Sequence, residues 1–569
     1  MTDSNAAELI KRGSARFDKR RQLDSFRQEV ALNFAPWLAA WTSPVQWGED
    51  FTSHLVDGTP ILLARDFIGQ VGAMLRPPGK QWFHHRTAVD KINNNRSTRE
   101  YLDWRSGKMM RIMTDRVTGF KRATKQADEF FGLFGDAVIS ADLDPTASSL
   151  RINNWHTADV VWAIGADGKP DVLTRREKMS ARVILRRFNQ PTNKIHHKIK
   201  EAAEKDGDVE FELRHEMLPA DEYDSYMPRS MRRKDGFVSV WVDVQNGCVI
   251  RERPSRTFKY VVPRWVSLTG HAYAISPATT IALPDSRLIQ QQAQAILEAA
   301  EKQVNPPLIA TSDAIRGDIR LESLGITWVD RTYDERAGDP LRPLELGKNF
   351  NLGVEALLHT QQQIAKAFYL DVLRMPDTRN SKSTVEVQFL IDEYVRAALP
   401  LFEPMQSEYN EALLHEIDML IDLANGYEDR EKPKELQGLD FQYAWDNPLS
   451  EMLERQKAQM VAEVATIANT IAALDQAAQQ SPSVKQLDNV KMMRESVMGI
   501  GASAWLLSEE DAEEEQNEIA QANGMQQAIA AAPNIAGLID SGVNAATAAA
   551  TIPNQAEPGF AMPQMPEPV

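Results

Sequence analysis

Apolar residues recur at helical spacing through the first quarter of the chain, among many charged residues. The first 35 residues predict one long helix. Residues 53–75 regain the same pattern, and residues 96–135 predict another helical block that is interrupted near Gly119. The N-terminal part of the chain is therefore expected to be mainly helical.

Short β-rich runs replace this pattern from about residue 137 to residue 270. The run at 237–244 is rich in valine, and the dipeptides at 167–168 and 246–247 are Asp-Gly and Asn-Gly turn signals. A helical stretch at about 179–204 interrupts the block. The pattern predicts a β-rich region with a helical insertion.

Two helices of similar length are predicted further along, at 286–304 and 352–374. The first ends at Asn-Pro-Pro, through which a helix cannot readily continue. Residues 308–348 predict short strands and turns rich in Asp, Arg and Gly. Since each helix could span roughly 27–35 Å, we expect an antiparallel helix pair with a small knob at one end.

A polar loop at 375–383 precedes a third helical region. Ser383 and Glu386 form a capping box that opens a long helix over 384–424. Pro400 and Pro404 lie inside this helix and should kink it.

The C-terminal part predicts helices over about 448–479 and 483–498, followed by a dense acidic run at 509–518. The last residues, 553–569, are rich in Pro and Met and are expected to be disordered. No convincing internal repeat is visible in the sequence.

Composition limits the class of protein. The 569 residues, 43% hydrophobic and 25% charged, are sufficient for several packed regions of ordinary globular character. A single cysteine, Cys248, excludes an intrachain disulfide framework and a Cys-rich zinc module. The start is charged, and no apolar run approaches the length of a membrane span. These features predict a soluble intracellular protein.

The net charge of −16 argues against tight, sequence-reading DNA binding, because phosphate neutralisation by cations supplies most of the affinity of such proteins. It does not argue against a duplex that passes by without being held.

Motifs that carry enzyme chemistry are incomplete. The Gly-Lys pairs at 168–169 and 347–348 lack the other residues of a phosphate-binding loop. The His-Glu pairs at 215–216 and 415–416 lack the second histidine of a zinc site. We therefore predict no catalytic residue, metal ligand or cofactor. The histidine pairs at 84–85 and 196–197 should point in divergent directions and lie at the surface.

Four segments, taken in order, resemble the head-to-tail connector (portal) family of short-tailed double-stranded DNA bacteriophages. They are Asp57-Gly58-Thr59 with LLARDFIGQVGAMLRPPGKQWF from Leu62, the stretch from Tyr273 to Leu308, STVEV from Ser383, and NPLSE from Asn447. The similarity extends over about residues 5–500. It departs from the family at HAYAI before Ser276-Pro277, where a Gly-Arg pair is expected.

The resemblance implies a mixed α+β, predominantly helical portal fold that closes into a ring. The implied parts are a wing at 1–285 and 384–447, stem helices at 286–304 and 352–374, a clip at 305–351, a tunnel loop at 375–383, a helical crown at 448–540 and a flexible tail at 541–569.

The resemblance also implies a function and partners. A ring of about twelve subunits at one capsid vertex would be the channel for DNA packaging and ejection. The implied partners are double-stranded DNA, the terminase large subunit, tail adaptor proteins, and the major capsid and scaffold proteins, with no membrane. The implied location is the virion, and the host cytoplasm during assembly. An acidic bore would let the duplex slide without sticking.

Two sets of site residues follow from the resemblance. Arg374, Arg379 and Lys382, at or beside the tunnel loop, are expected to contact the DNA backbone transiently, although a solvated surface loop remains the alternative. Exposed charges of the clip are expected to dock the motor or the adaptor, and they are Arg316, Arg320, Asp334 and Glu335.

Two other classes of function remain open from the sequence. The chain could be a different virion component, such as a scaffold or tail adaptor, which a ring seen in electron micrographs would distinguish. It could also be an unrelated multidomain enzyme, which would require a detectable activity or a bound cofactor.

Overall fold

The computed structural model describes most of residues 2–446 and five isolated residues beyond them (466, 469, 491, 494 and 495). Within 2–446 the residues left out are 47, 94, 144–148, 225–235, 305–307, 311–340, 344–349, 374–392, 395, 399–400 and 403–404. The chain divides into two units after Leu506, and the second unit lies outside the described residues.

Most of the described helices lie in the regions predicted to be helical. They are α1 (Thr2–Phe34), α2 (Thr59–Leu75), α3 (Asp90–Asn93), α4 (Arg96–Thr114), α5 (Phe120–Phe134), α6 (Ala181–Arg187), α7 (His197–Lys205), α8 (Leu283–Val304), α9 (Phe350–Ala367), α10 (Leu370–Leu373) and α11 (Ala412–Leu423). Wider π-helical turns at Ala278–Ala282 and Gln406–Glu411 lead directly into α8 and α11.

The described strands are all paired antiparallel. They are β1 (Phe83–Thr87), β2 (Val138–Leu143), β3 (Leu150–Trp155), β4 (Val160–Ile164), β5 (Pro170–Ser180), β6 (Glu210–Pro219), β7 (Phe237–Asp243), β8 (Cys248–Ser255), β9 (Tyr260–Val261), β10 (Val266–Ser267), β11 (Ala274–Ile275), β12 (Leu308–Ala310), β13 (Leu341–Pro343) and β14 (Phe441–Trp445).

A five-stranded sheet, in the order β4-β5-β6-β7-β8, forms the β-rich region. Because side chains alternate along a strand, β7 buries Val238, Val240 and Val242 on one face and Trp241 on the other. The first face packs against Leu9 of α1. Gly168 and Gly247 adopt positive φ, which confirms the two turns predicted from the sequence.

The opposite face of this sheet packs against α6 and α7 through Ile184, Phe188 and Ile199. The predicted helical stretch at 179–204 is therefore correct in kind but not in extent. Met179 and Ser180 belong to β5, and the segment between the two short helices contains Pro191, which has no backbone N–H to continue a helical ladder.

The main core is built from α2, α5 and the small sheet β3-β2-β9, with the second half of α1. The Trp265 ring centroid lies 5.4 Å from that of Phe67 and 5.1 Å from that of Phe131. Gly135 ends α5 with a φ of 87°, and a side chain there would lie 2.7 Å from the backbone carbon of Ile275. Only glycine fits this close approach.

The predicted helix ends differ from the structure at α2 and α8, in each case at a proline. The helix predicted from residue 53 begins at Thr59, with Pro60 in its first turn. The helix predicted from residue 286 begins at Leu283. Pro284 has no backbone N–H and cannot donate a hydrogen bond to the carbonyl of Thr280. The π-helical turn at Ala278–Ala282, just before α8, accommodates this missing hydrogen bond.

Residues near 440 return to the N-terminal block. β14 pairs with β1 in the register Phe83 opposite Trp445. Asn410 donates from its side-chain amide to the Leu75 carbonyl at 3.1 Å. The end of the long predicted helix is correctly placed, since α11 stops at Leu423. The predicted capping box and both kinking prolines lie outside the described residues.

Candidate functional site

The helix pair α8 and α9 has narrow buried stripes and many exposed residues. Residues facing the partner helix recur in α8 at alternating intervals of three and four. They are Ile289, Ala293, Ile296 and Ala300, whereas Ser286 donates its hydroxyl to Asn33 of α1 at 3.0 Å. A stripe of this kind is narrow, and it is typical of two helices that pack side by side.

The facing stripe of α9 has the same alternating spacing and consists of Gly353, Leu357, Thr360, Ile364 and Ala367. Thr360 Oγ1 donates to Gln292 Oε1 at 3.0 Å. Gly353 lies against Ile296, where an added Cβ would make ordinary contact at 3.4 Å. The two helices therefore run antiparallel, as predicted from the sequence.

Hydrogen bonds from one loop hold the base of the pair. Gln290 Oε1 accepts from the backbone N–H groups of Val56 and Asp57, at 2.7 and 2.9 Å. Gln361 Nε2 donates to Thr59 Oγ1 at 3.1 Å and to Asp57 Oδ2 at 3.3 Å. The loop before α2 thus binds both helices and fixes their spacing.

The base of the pair is also packed against aromatic residues. Phe368 is fully buried and lies edge-on to Phe34, with ring centroids 5.4 Å apart, and 5.3 Å from Phe67. Tyr369 follows with a φ of 55°, and α10 begins one residue later. The sequence predicted one helix over 352–374. The structure breaks it here, because the chain turns to bury Phe368.

Large apolar side chains cover the outer surface of the pair and are exposed. The exposed fraction is 60% for Leu297, 66% for Leu352 and 77% for Val304. Leu288, Val354 and Leu358 are exposed as well. Large exposed apolar side chains on both helices make this pair a candidate interaction surface.

Charges on the two helices nearly balance. Four carboxylates and three cations lie on α8 and α9, namely Asp285, Glu298, Glu301, Glu355, Arg287, Lys302 and Lys366. Arg287 forms an ion pair with Glu29 of α1 at 2.6 Å, near the base. Toward the C-terminal end of α8, Glu298 and Glu301 are exposed and outnumber Lys302.

The ends of the helix pair lead to the segment predicted as the clip. β12 and β13 pair antiparallel, with Leu308 opposite Pro343, and they connect α8 to α9. The prediction of short strands is confirmed at these two positions. The predicted docking residues all lie outside the described residues, and they are Arg316, Arg320, Asp334 and Glu335.

The predicted tunnel-loop residues Arg374, Arg379 and Lys382 also lie outside the described residues. The chain is described on either side of them. Leu373 is buried in the main core, and Tyr394 Oη donates to its carbonyl at 3.3 Å. The two ends of the segment 374–392 are therefore anchored on the main core.

Two buried arginines of α1 bind distant parts of the chain, and the sequence pattern did not reveal them. Arg20 of α1 donates to the carbonyls of Thr157 and Ala158, at 2.6 and 2.9 Å. Arg27 forms a buried ion pair with Asp136. In a helix with many Lys and Arg, nothing in the local pattern distinguishes these two from exposed cations.

The expectation that both histidine pairs lie at the surface is wrong for His85. Its side chain is buried, and Ser106 Oγ lies 2.8 Å from its Nδ1. His84 is partly exposed between Asp103 and Asp446, and these carboxylates overcome its burial and raise the pKa of the imidazole to about 9. His196 and His197 do not diverge, because their ring centroids lie 4.2 Å apart.

Within the described ranges, no group of three or more His, Cys, Asp or Glu residues could hold a metal ion. Among the same residues, no helix has both the length and the apolar character needed to cross a bilayer. A cavity of about 960 Å³ lies between α2 and α5, and Ile61, Ile68, Phe120 and Leu133 line it. The Arg76 and Asp128 side chains at its wall pair with each other.

The chain is similar to several known proteins. A family model described as bacteriophage head to tail connecting protein matches residues 6–507. A curated relative, the "Probable portal protein" of Bordetella phage BPP-1, is 24% identical over 406 residues, which are 69% of this chain and 70% of that protein. A solved structure titled "Neck of empty GTA particle computed with C6 symmetry" is 11% identical, with a TM-score of 0.33, over 78% of this chain and 97% of that one.

Proposed function

The chain belongs to the family of bacteriophage head to tail connecting proteins, and on that premise we propose that it is the portal subunit of a short-tailed double-stranded DNA phage. The family is one of structural connectors rather than enzymes, so the protein is a structural component of the virion. The finer proposal is a closed ring of about twelve copies at one capsid vertex.

The exposed apolar surface of the helix pair is the observation that supports a ring. A fully buried leucine contributes about 1.5–3 kcal/mol, so side chains that are about half exposed retain roughly 1 kcal/mol each to be gained on association. A second copy is the natural cover for Leu297, Leu352 and Leu358. A head-to-tail contact of this kind, repeated by rotation, closes into a ring.

The charge of the chain supports a channel that does not hold DNA. Each subunit carries a net charge of −16, so a ring multiplies the repulsion of phosphates. On the proposed arrangement, Glu298 and Glu301 of α8 add to this effect. DNA that binds tightly releases counterions and resists movement, whereas a repelled duplex slides during packaging and ejection.

The remaining assignments rest on the family resemblance. Residues 305–351 would form the clip that docks the terminase large subunit and later the tail adaptor proteins. Arg374, Arg379 and Lys382 would form a basic collar that touches the DNA backbone transiently. The outer parts of the ring would meet the major capsid and scaffold proteins.

Negative-stain electron microscopy of the purified protein tests the proposal, with light scattering to measure mass. We expect closed rings of about twelve subunits with a central channel, formed without nucleotide. A monodisperse monomer at micromolar concentration across a range of salt would contradict the proposal. An open or filamentous assembly would favour a scaffold instead.

A further inference from the structure

Four residues lie side by side across the five-stranded sheet, on the face opposite α1. Arg175 of β5 is paired with His215 of β6, His215 with Trp241 of β7, and Trp241 with Arg251 of β8. Their side chains share one face because each is directly opposite the next in register. A row of this composition is unusual, since it concentrates positive charge around a buried indole.

The distances show how closely the cations approach the indole. The guanidinium carbons lie 4.5 Å (Arg187), 5.2 Å (Arg175) and 6.0 Å (Arg251) from the Trp241 ring centroid. His215 stacks on the same ring at 4.6 Å, with an interplanar angle of 21°. Attraction to the ring face helps to hold each guanidinium in place.

Carboxylates do not balance these cations. Glu177 is shared between Arg175 at 2.9 Å and Arg187 at 3.5 Å. Asp142 forms an ion pair with the nearby Lys259 at 3.0 Å. Arg251 and Arg253, which follow on β8, have no carboxylate within ion-pair distance among the described residues. Five cations against two carboxylates leave an excess of about three positive charges.

The cluster also has more donors than acceptors. Within the described part of the chain, Nε of Arg175, Nε of Arg251 and Nε1 of Trp241 are buried without a hydrogen-bond partner. Burial, together with Arg253 and Arg187, lowers the pKa of Arg251 to about 10. Arginines held this close repel one another, and an acceptor-rich anion would relieve both the repulsion and the shortage of acceptors.

We infer that this arginine–tryptophan face, made of Arg187, Arg251, Arg253 and Lys259 around Trp241, binds the phosphate backbone of duplex DNA. Arg187 and Arg253 are exposed, and Arg251 and Lys259 are partly exposed, so a ligand can reach them. Trp241 lies in a different core cluster from Leu373, the last described residue before the proposed tunnel loop. The inference rests on the proposed function only for the identity of the anion.

Phosphate is favoured over carboxylate as the ligand, because a duplex presents phosphates at regular spacing and high density. The protein as a whole is acidic, so the positive charge of this face is local. Guanidinium groups match phosphate oxygens in a two-pronged geometry. The side chains are few, and Arg187 at the end of α6 and Arg253 on β8 are exposed at the surface, so they would contact the backbone without entering a groove. The contact should therefore be independent of sequence.

A covalently closed circular duplex is the probe that tests this face, because a closed circle cannot be threaded end-first through a ring. The assembled full-length protein is titrated with the circle from about 50 to about 200 mM salt. The test variant is R187Q/R253Q. The matched control is R12Q/R21Q, which removes two exposed arginines from α1 and changes the charge equally.

If the inference holds, the wild type binds the circle at low salt, and R187Q/R253Q lowers the slope of log affinity against log salt by about 2, since each lost phosphate contact contributes about 0.9. The control variant retains the wild-type affinity within about twofold, and R187K/R253K keeps the wild-type salt slope because it keeps both charges. Bound DNA also protects Arg187 and Arg253 from modification by phenylglyoxal.

Equal losses in R187Q/R253Q and in the control would overturn the inference, as would an unchanged slope. Binding of polyglutamate without binding of the circle would reassign the face to an acidic protein segment and would overturn it too. Thermal melting of each variant checks folding. A specific loss of circle binding in a protein that forms no rings would leave the inference standing and the portal proposal refuted.

Discussion

Arg105 donates to both carboxylate oxygens of Asp418, at 3.2 Å through Nε and at 2.8 Å through Nη2. The pair joins α4 to α11 inside the fold. Tyr427 donates its hydroxyl to the same carboxylate at 2.7 Å, and its ring centroid lies 3.8 Å from the guanidinium carbon. Burial alone would raise the pKa of Asp418, but contacts with His85 and Arg105 hold it well below its usual range.

Arg105→Ala should therefore destabilise the protein strongly, because it leaves the Asp418 carboxylate buried without a cation. Losing one member of a buried pair typically costs about 3–5 kcal/mol. Denaturant unfolding followed by far-UV circular dichroism measures the change. Arg430→Ala is the control, since its pair with Glu100 is exposed and is worth less than about 1 kcal/mol. Similar losses of unfolding free energy in the two variants would show that the buried Arg105–Asp418 pair contributes no more to stability than the exposed pair.

The apolar surface of the helix pair should control association. Leu297→Ser with Leu358→Ser removes two exposed apolar side chains and should shift the protein from rings toward smaller species, while its melting temperature changes little. Sedimentation velocity measures the distribution. Leu62→Ser, at a 62% exposed position on α2, is the matched control and should leave rings intact. Rings that persist in the double variant would place the subunit contact elsewhere.

The buried carboxyl of Glu216 should make stability depend on pH. Burial raises its pKa to about 7 from an ordinary 4.5, although Thr174 donates to it at 2.7 Å and Arg16 lies near. The folded state therefore holds this proton more tightly than the unfolded chain. The stability that Glu216 contributes is full below pH 4.5 and is lost as the pH rises through 7.

The measurement is the difference in unfolding free energy between the wild type and Glu216→Gln across this window. The difference should fall by about 3 kcal/mol as the pH rises, at about 1.4 kcal/mol for each pKa unit. Gln keeps the shape of the side chain and does not titrate, so other groups cancel in the comparison. A difference that rises with pH, or stays flat, would contradict the assigned direction.

Neutralising the proposed basic collar should affect DNA retention and not assembly. The variant R379Q/K382Q should form normal rings but retain shorter genomes, because transient phosphate contacts resist backward slippage late in packaging. The effect should be larger at low salt, where charges are least screened. Genome length per filled head, measured at two ionic strengths, gives the answer. Full-length genomes at both ionic strengths would refute the proposed basic collar.

Reversing the proposed clip charges should impair docking. We expect R316E/R320E, and separately D334K/E335K, to form rings while slowing attachment of the motor or adaptor, because charges at an interface rim mainly change association rate and specificity. Packaging and tail-attachment rates measure this. Wild-type rates in both variants would place the docking surface outside these four residues.

Much of the helical framework could be predicted from the sequence, because apolar residues recur at helical spacing through α1, α8 and α9. The turn glycines at 168 and 247 could be predicted for a similarly local reason. The break of the helix at Tyr369 could not be predicted from the sequence. It depends on Phe34 and Phe67, which bury Phe368 from elements far away in the sequence.

The candidate site shows the same division. The antiparallel helix pair was predictable, since the two runs flank a segment that begins with Asn-Pro-Pro. The arginine–tryptophan face was not, because strand register alone brings Arg175 and Arg251 to the same indole. His85 was misplaced for a related reason, as only the fold shows that Ser106 lies beside it.

The pairing of β1 with β14 and of Arg105 with Asp418 also means that partners in the fold are synthesised at widely separated times. The two members of the ion pair are 313 residues apart, so at about 5–20 residues per second roughly 15–60 s pass between their syntheses. During that interval β1 is an open edge, and Arg105 has no counterion from α11. We expect the nascent chain to need chaperone protection until residue 445 emerges, and fragments released earlier to be degraded before they can enter a capsid.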